Sequence, residues 1–427
     1  MKKLICLIAF IGCSWAAAAQ TGTWSGSIEV QGMKIPLVFH LDDENPSMDS
    51  PDQGAKGIPI QVERSDSGFL TIRIPSLSAS YEGNWLGISI IGSFKQLGAE
   101  LPLTLTPGAP RLHRPQTPQP PFPYTQEEVS FSHGDALLKG TLVLPQGCTR
   151  KTPVLIMVTG SGLQNRDEEI FEHKPFAVIA DALARHGIAT LRYDDRGFGE
   201  STGDIINFTT EDLKGDALAG IRMLRERFDK VGVIGHSEGG AIALMLAAEG
   251  QADWIISLAG AVVSGAETLL WQNRLALSAA GIPEEASDAY CALLSEAFQA
   301  RISGKPMPSA QGRNLPASLQ QNYQAVVMQL QIPYMQYFLA MDMRPLLDRI
   351  TCPVLALNGT KDQQVDPESN LEALRSGLPA NPRTRIEAVP GLNHLFQHCT
   401  TGAPAEYKEI EETIAPEILE LMVNWLK

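Results

Sequence analysis

The chain has 427 residues, 44% of them hydrophobic, and a formal net charge of −14. That length admits more than one domain, and that composition excludes a disordered chain. The acidic balance excludes a nucleic-acid or anionic-membrane binder, since both partners select clustered Lys and Arg.

Lys2 and Lys3 precede an apolar run from Leu4 to Gly12 and the small residues Ala17-Ala18-Ala19. This is the pattern of a secretory signal over residues 1–19. Export to the periplasm or the medium is expected, with a lipoprotein anchored at Cys13 as the alternative. The run is too short to span a bilayer and no later run of about 18 apolar residues follows, so no stable membrane insertion is expected. Cys148, Cys291, Cys352 and Cys399 have neither CxxC nor zinc-like spacing and read as buried thiols, although export permits disulfides. The eight histidines show no HExxH or H-x-H grouping, so no metal is expected.

Residues 20–106 alternate strand-like runs with turns: TWSGSIEV, KIPLVFHL, FLTIRI and WLGISIIGSF. A small antiparallel β domain follows from that pattern, with Trp24, Trp85 and Phe94 in its core. It carries no acid/histidine cluster; its role is either packing or the binding of a glycan or lipid. Seven prolines between Pro107 and Pro123 then predict an extended linker over 107–124.

From 125 to 427 the pattern changes. A hairpin turns at His133-Gly134-Asp135. Apolar strands at 154–158, 188–194, 231–235, 254–260 and 352–360, and a last run at 383–394, then alternate with amphipathic helices. Such runs predict a mostly parallel sheet covered by helices on both faces, an α/β class. The alternation breaks at 264–345, a helix-rich stretch expected to form a cap over the C-terminal edge of the sheet.

Gly235-His236-Ser237-Glu238-Gly239 stands where a strand becomes a helix. G-x-S-x-G in that context lifts a serine hydroxyl out of the sheet and sets the helix N-terminus behind it. Ser237 is therefore the candidate nucleophile, and the Glu238 amide a candidate oxyanion donor. A serine needs a base and the base an orienting acid, on loops after later strands. Asp362 follows the strand VLAL; Asp366, its competitor, reads as the cap of the next helix. His394 follows the last strand, with His398 as a surface histidine and His236 as packing inside the elbow. The second oxyanion amide belongs to the loop Thr159-Gly160-Ser161-Gly162, with Ser161 first and Gly162 second. Tyr193-Asp194-Asp195-Arg196-Gly197 reads as a loop scaffold held by ion pairs.

GHSEGG, GSGLQNRDE, YDDRGFGES, NGTKDQQV and GLNH, in this order, resemble the α/β-hydrolase superfamily. Within it they are similar to serine-aminopeptidase-like hydrolases and to exported carboxylesterases of the EstD type, which join an N-terminal β domain to a capped hydrolase domain. The resemblance covers about 125–427. It implies an α/β-hydrolase fold with a helical cap, Ser237 as nucleophile, His394 as base and Asp362 as its partner. It also implies a small carboxylic ester of short acyl chain as substrate, and no cofactor. One departure is the loop TGSG, where many relatives have HG followed by a large residue. A peptidase or amidase, or an acyl transferase, would use the same triad; a disused hydrolase fold serving as a binding protein is the non-enzyme alternative. Nothing in the sequence fixes the oligomeric state, and a homo-oligomer is compatible with it.

Overall fold

The computed structural model describes residues 22–30, 33–42, 44–51, 55–65, 68–96, 98–108 and 112–427; the expected signal lies outside them, as does Cys13. The chain divides into two compact units, Met1–Arg111 and Leu112–Lys427.

The first unit is an antiparallel sheet. Its strands are β1 (Thr23–Val30), β2 (Met33–His40), β3 (Ser47–Ser50), β4 (Ala55–Pro59), β5 (Gln61–Arg64), β6 (Phe69–Ile74), β7 (Ala79–Trp85), β8 (Ile90–Gln96) and β9 (Ala99–Pro107). The strand order is β4-β3-β2-β1-β9-β8-β7-β6-β5. The two edge strands are joined through Ile60 alone, so the sheet curls until its edges meet at that corner. Alternate residues point inward: Leu70, Ile72 and Ile74 of β6 pack with Trp24, Phe39, Tyr81 and Phe94. Trp85 lies partly buried against the same cluster. The run WLGISIIGSF is not one strand. The Leu86 amide bonds the Ser89 carbonyl at 2.8 Å, and Gly87 takes φ +81°, so a turn separates β7 from β8.

The proline-rich stretch is only partly a connector. From residue 112 it belongs to the second unit and is strapped down by side chains rather than by regular structure. Arg114 donates to the carbonyls of Phe171 (2.9 Å), Lys408 (2.8 Å) and Ile410 (2.7 Å), and Gln116 donates to that of Ile414 (2.7 Å).

The second unit is built on an eight-stranded sheet of order β10-β11-β13-β12-β14-β15-β16-β17. These strands are β10 (Thr125–His133), β11 (Ala136–Leu144), β12 (Val154–Val158), β13 (Ala189–Tyr193), β14 (Val231–His236), β15 (Ile255–Leu258), β16 (Val354–Gly359) and β17 (Arg385–Val389). The hairpin β10–β11 is antiparallel and joins β13 antiparallel; β13 through β17 run parallel. Helices α1 (Pro175–Arg185), α2 (Thr210–Arg225) and α3 (Glu238–Ala248) follow successive parallel strands. Helices α4 (Gly265–Ala279), α5 (Glu284–Ile302), α6 (Ala317–Gln329) and α7 (Pro333–Ala340) fill the interval between β15 and β16. Helices α8 (Pro367–Gly377) and α9 (Pro416–Leu426) complete the unit.

Strand β12 shows why both faces are covered. Val154, Ile156 and Val158 join a cluster with residues of α2, α3 and α8, while Leu155 and Met157 join one with residues of α1 and α9. All five are buried, so the strand has no polar face to show to water. The inserted helices have a core of their own, built on Tyr290, Leu293, Leu294, Phe298 and Tyr323.

Candidate active site

The elbow at Ser237 is dictated by close approach. A Cβ on Gly235 would lie 1.9 Å from the Gly239 carbonyl oxygen, and one on Gly239 would lie 2.1 Å from that of Val158 and 2.5 Å from that of Thr159. No side chain fits either place, which accounts for both glycines of the motif. Ser237 itself takes φ 54°, ψ −118°, a conformation that costs a non-glycine residue about 1–3 kcal/mol. Neighbouring strands hold it there: its amide donates to the Leu258 carbonyl at 2.8 Å, and its carbonyl accepts from Gly240 at 3.0 Å.

Three further loops converge from the C-terminal ends of the parallel strands, the place where open α/β sheets bind ligands. The loop after β16 supplies Asp362. Its Oδ2 lies 2.8 Å from His394 Nδ1, while Oδ1 accepts the amides of Gln364 (2.7 Å) and Val365 (3.0 Å). Both side chains are buried. The loop after β17 supplies His394 and is held by Asn393, whose side-chain oxygen accepts from the amides of Leu395 and Gln397, each at 3.0 Å. With Nδ1 engaged by Asp362, Nε2 is the ring nitrogen left for chemistry. Ser237 and His394 line one cavity of about 330 Å³, with Leu269, Gln272, Met335 and Phe338 contributed by α4 and α7. The competitors take other partners. Asp366 caps α8 through the amides of Glu368 (3.3 Å) and Ser369 (3.2 Å), and His398 pairs with Glu412 (2.9 Å) and Glu417 (3.1 Å) at the surface.

The loop after β12 supplies Gly160, Ser161 and Gly162. The Gly160 amide is occupied, donating to Glu168 Oε1 at 2.7 Å. The Gly162 amide is turned to the Tyr334 hydroxyl. Among the described residues no hydrogen bond takes the amide of Ser161 or of Glu238. The Glu238 side chain points the other way. Its buried carboxylate accepts from the hydroxyls of Thr210 (2.6 Å) and Tyr334. With no cation beside it among the described residues, burial pushes its pKa above the usual carboxylate range against these donors. Tyr334 thus connects α7, in the inserted helices, directly to the elbow.

The loop after β13 clamps the loop after β12. Asp195 Oδ2 accepts from the Thr159 hydroxyl (2.7 Å) and the Gln164 amide (2.8 Å), and full burial pushes its pKa up to about 8. Asp194 accepts from the Arg166 guanidinium at 2.8 Å, and Arg196 pairs with Asp216 at 2.7 Å.

The sequence reading missed Glu168 and Tyr334 and took His236 as packing. His236 is buried, yet both its nitrogens are hydrogen-bonded: Nδ1 to Glu168 Oε1 (2.9 Å) and Nε2 to the His394 carbonyl (3.0 Å). Glu168 sits in a run of three acids, Asp167-Glu168-Glu169, where nothing in the sequence singles out the middle one. Tyr334 stands among weakly amphipathic helices with no motif around it.

Residues 172–398, more than half of the chain, match the family model described as serine aminopeptidase, S33. The chain belongs to this family. As a member of the S33 family it is 26% identical over 293 residues to esterase EstD of Thermotoga maritima. That match covers 67% of this chain and 66% of the relative, just under two thirds of the relative's length. Among solved structures, an esterase of Pyrococcus furiosus aligns with a TM-score of 0.45 and 16% identity, over 75% of this chain and 100% of the other. Est1E of Butyrivibrio proteoclasticus with ferulic acid bound aligns with a TM-score of 0.42 and 20% identity, over 70% of this chain and 99% of the other.

Proposed function

We propose that the protein is a serine carboxylesterase that cleaves small esters of short acyl chain through an acyl-enzyme. The observation that carries this reading is the Asp362–His394 bond of 2.8 Å in the same cavity as the strained Ser237. Ser237 Oγ attacks the ester carbonyl carbon as His394 Nε2 takes its proton. Asp362 holds the ring in the tautomer that leaves Nε2 able to accept, and stabilises the imidazolium that forms. The Ser161 and Glu238 amides donate to the oxyanion. The imidazolium then protonates the leaving alcohol oxygen as the C–O bond breaks. Water, deprotonated by His394, attacks the acyl-serine, and the carboxylic acid leaves as Ser237 regains its proton.

The cavity at Ser237 has a volume of about 330 Å³. Leu269, Met335 and Phe338 give it an apolar wall suited to an alkyl or aryl group. An aminopeptidase of the same triad needs a free carboxylate for the substrate's α-amine, and the carboxylate lining the cavity, Glu168, is already paired with His236. The N-terminal pattern of residues 1–19 supports export, to the periplasm or beyond.

The test is hydrolysis of p-nitrophenyl esters from acetate to laurate by the wild type and Ser237→Ala. Short-chain turnover reduced at least ~10³-fold in the variant is expected, because the covalent route is lost. Turnover that survives the substitution, or a preference for laurate, contradicts the proposal.

A further inference from the structure

We propose that His236 is an imidazolium locked to the Glu168 carboxylate, and that this dyad is the positioning device that ties the base His394 to the oxyanion loop. The proposal rests on the esterase reading above and adds two residues to it, neither of which touches the substrate's reacting atoms.

Hydrogen-bond geometry makes the case. A neutral imidazole has one N–H and one lone pair. Here both ring nitrogens face oxygen acceptors, Glu168 Oε1 at 2.9 Å and the His394 carbonyl at 3.0 Å. A lone pair set against either oxygen would be repulsive, so both nitrogens carry protons. The same Glu168 oxygen accepts the Gly160 amide at 2.7 Å, a second N–H donor aimed at it. The chain of contacts is therefore continuous: Gly160 amide, Glu168, His236, His394 carbonyl. One end holds the loop next to the oxyanion amide of Ser161; the other holds the backbone of the base. Glu168 is delivered by a backbone at φ +52°, fixed by its amide on the Asn165 carbonyl at 2.9 Å. A non-glycine residue stays in that region only when its surroundings hold it there.

The dyad also packs against the ring of His394. The two imidazole rings lie 4.6 Å apart between centroids. The charged groups acting on His236 are Glu168 and, further off, Asp362, with the His394 ring beside it; it also lines a small cavity with the apolar Phe176, Ile179, Leu258 and Leu395. Burial opposes the charge on His236, and Glu168 with the His394 carbonyl outweighs it, so its pKa stands above the ordinary histidine value. His236→Gln keeps a donor for the His394 carbonyl but removes the cation and leaves Glu168 unbalanced.

Two measurements on the full chain test this. The first is ¹⁵N NMR of histidine-labelled protein at pH 8, with His236→Gln to assign the signal. Both nitrogens of His236 protonated supports the dyad; a neutral ring overturns it. The second is kcat and KM on the best p-nitrophenyl ester for wild type, His236→Gln and Glu168→Gln. In His236→Gln kcat falls about tenfold with KM nearly unchanged. A loss confined to KM or to thermal stability overturns the positioning role. If the esterase reading itself is wrong, no serine-dependent turnover appears in the wild type, and the ring state of His236 still decides the dyad.

Discussion

Replacing Tyr334 with phenylalanine removes one oxygen from between α7 and the elbow. The ring stays, and with it the contacts to Phe208 at 5.4 Å and Phe338 at 6.2 Å between centroids, so no cavity opens. What is lost is a hydroxyl donating to the buried, cation-free carboxylate of Glu238. A hydrogen bond to a charged group contributes about 1.5–3 kcal/mol, and here burial leaves little water to replace it. The loss depends on pH, and its sign follows from Glu238. An acid whose folded pKa lies above its unfolded value, about 4.3 for glutamate, binds more protons in the native state, so stability falls as pH rises through that window. The Tyr334 hydroxyl holds the folded value down, and removing it enlarges the penalty on the alkaline side. Urea unfolding of the two proteins should therefore differ by about 2 kcal/mol at pH 8 and by less at pH 5, where Glu238 is closer to neutral in both. A difference below about 0.5 kcal/mol at pH 8, or one equal at both pH values, would refute the view that Tyr334 supports an ionised Glu238.

Other substitutions probe the rest of the architecture. Asp362→Asn leaves the fold intact but presents the wrong tautomer of His394, so kcat should fall by about 10⁴ with little change in the unfolding midpoint. Gly239→Ala drives a methyl group into the Val158 and Thr159 carbonyls; moving them by about 1 Å should cost about 1–3 kcal/mol in thermal unfolding and about 10²-fold in kcat. Arg114→Ala releases the proline-rich strap from the carbonyls of Phe171, Lys408 and Ile410 and should cost about 2 kcal/mol in urea unfolding while leaving KM unchanged.

How much of this was legible in the sequence depended on the range of the constraint. The elbow is a local object: its two glycines meet backbone within a few ångströms, and Ser237 lies between them, so five residues suffice to find it. Asp362 and His394 each follow an apolar strand directly, and strand-then-loop is also a local signal. Glu168, Tyr334 and the bonding of His236 depend instead on pairings across long stretches of chain. Glu168 reaches the ring of His236 from 68 residues away, and Tyr334 reaches Glu238 from 96. Periodicity carries no trace of such contacts. The shortest strands of the first unit, β3 and β5, have four residues each, too few for alternation to stand out from turn sequence. The anchoring of the proline-rich stretch was hidden for a related reason. Proline content excludes helix and central strand, but it does not exclude an extended segment anchored by the side chains of Arg114 and Gln116.

The most direct test of the central claim is covalent. The full chain is mixed with a p-nitrophenyl phosphonate ester, digested, and its peptides weighed by mass spectrometry. A single phosphonyl adduct on Ser237, formed with release of one equivalent of p-nitrophenol and absent from Ser237→Ala, is the predicted result. An adduct on another residue, or turnover of carboxylic esters by a protein whose Ser237 stays unmodified, would contradict the account.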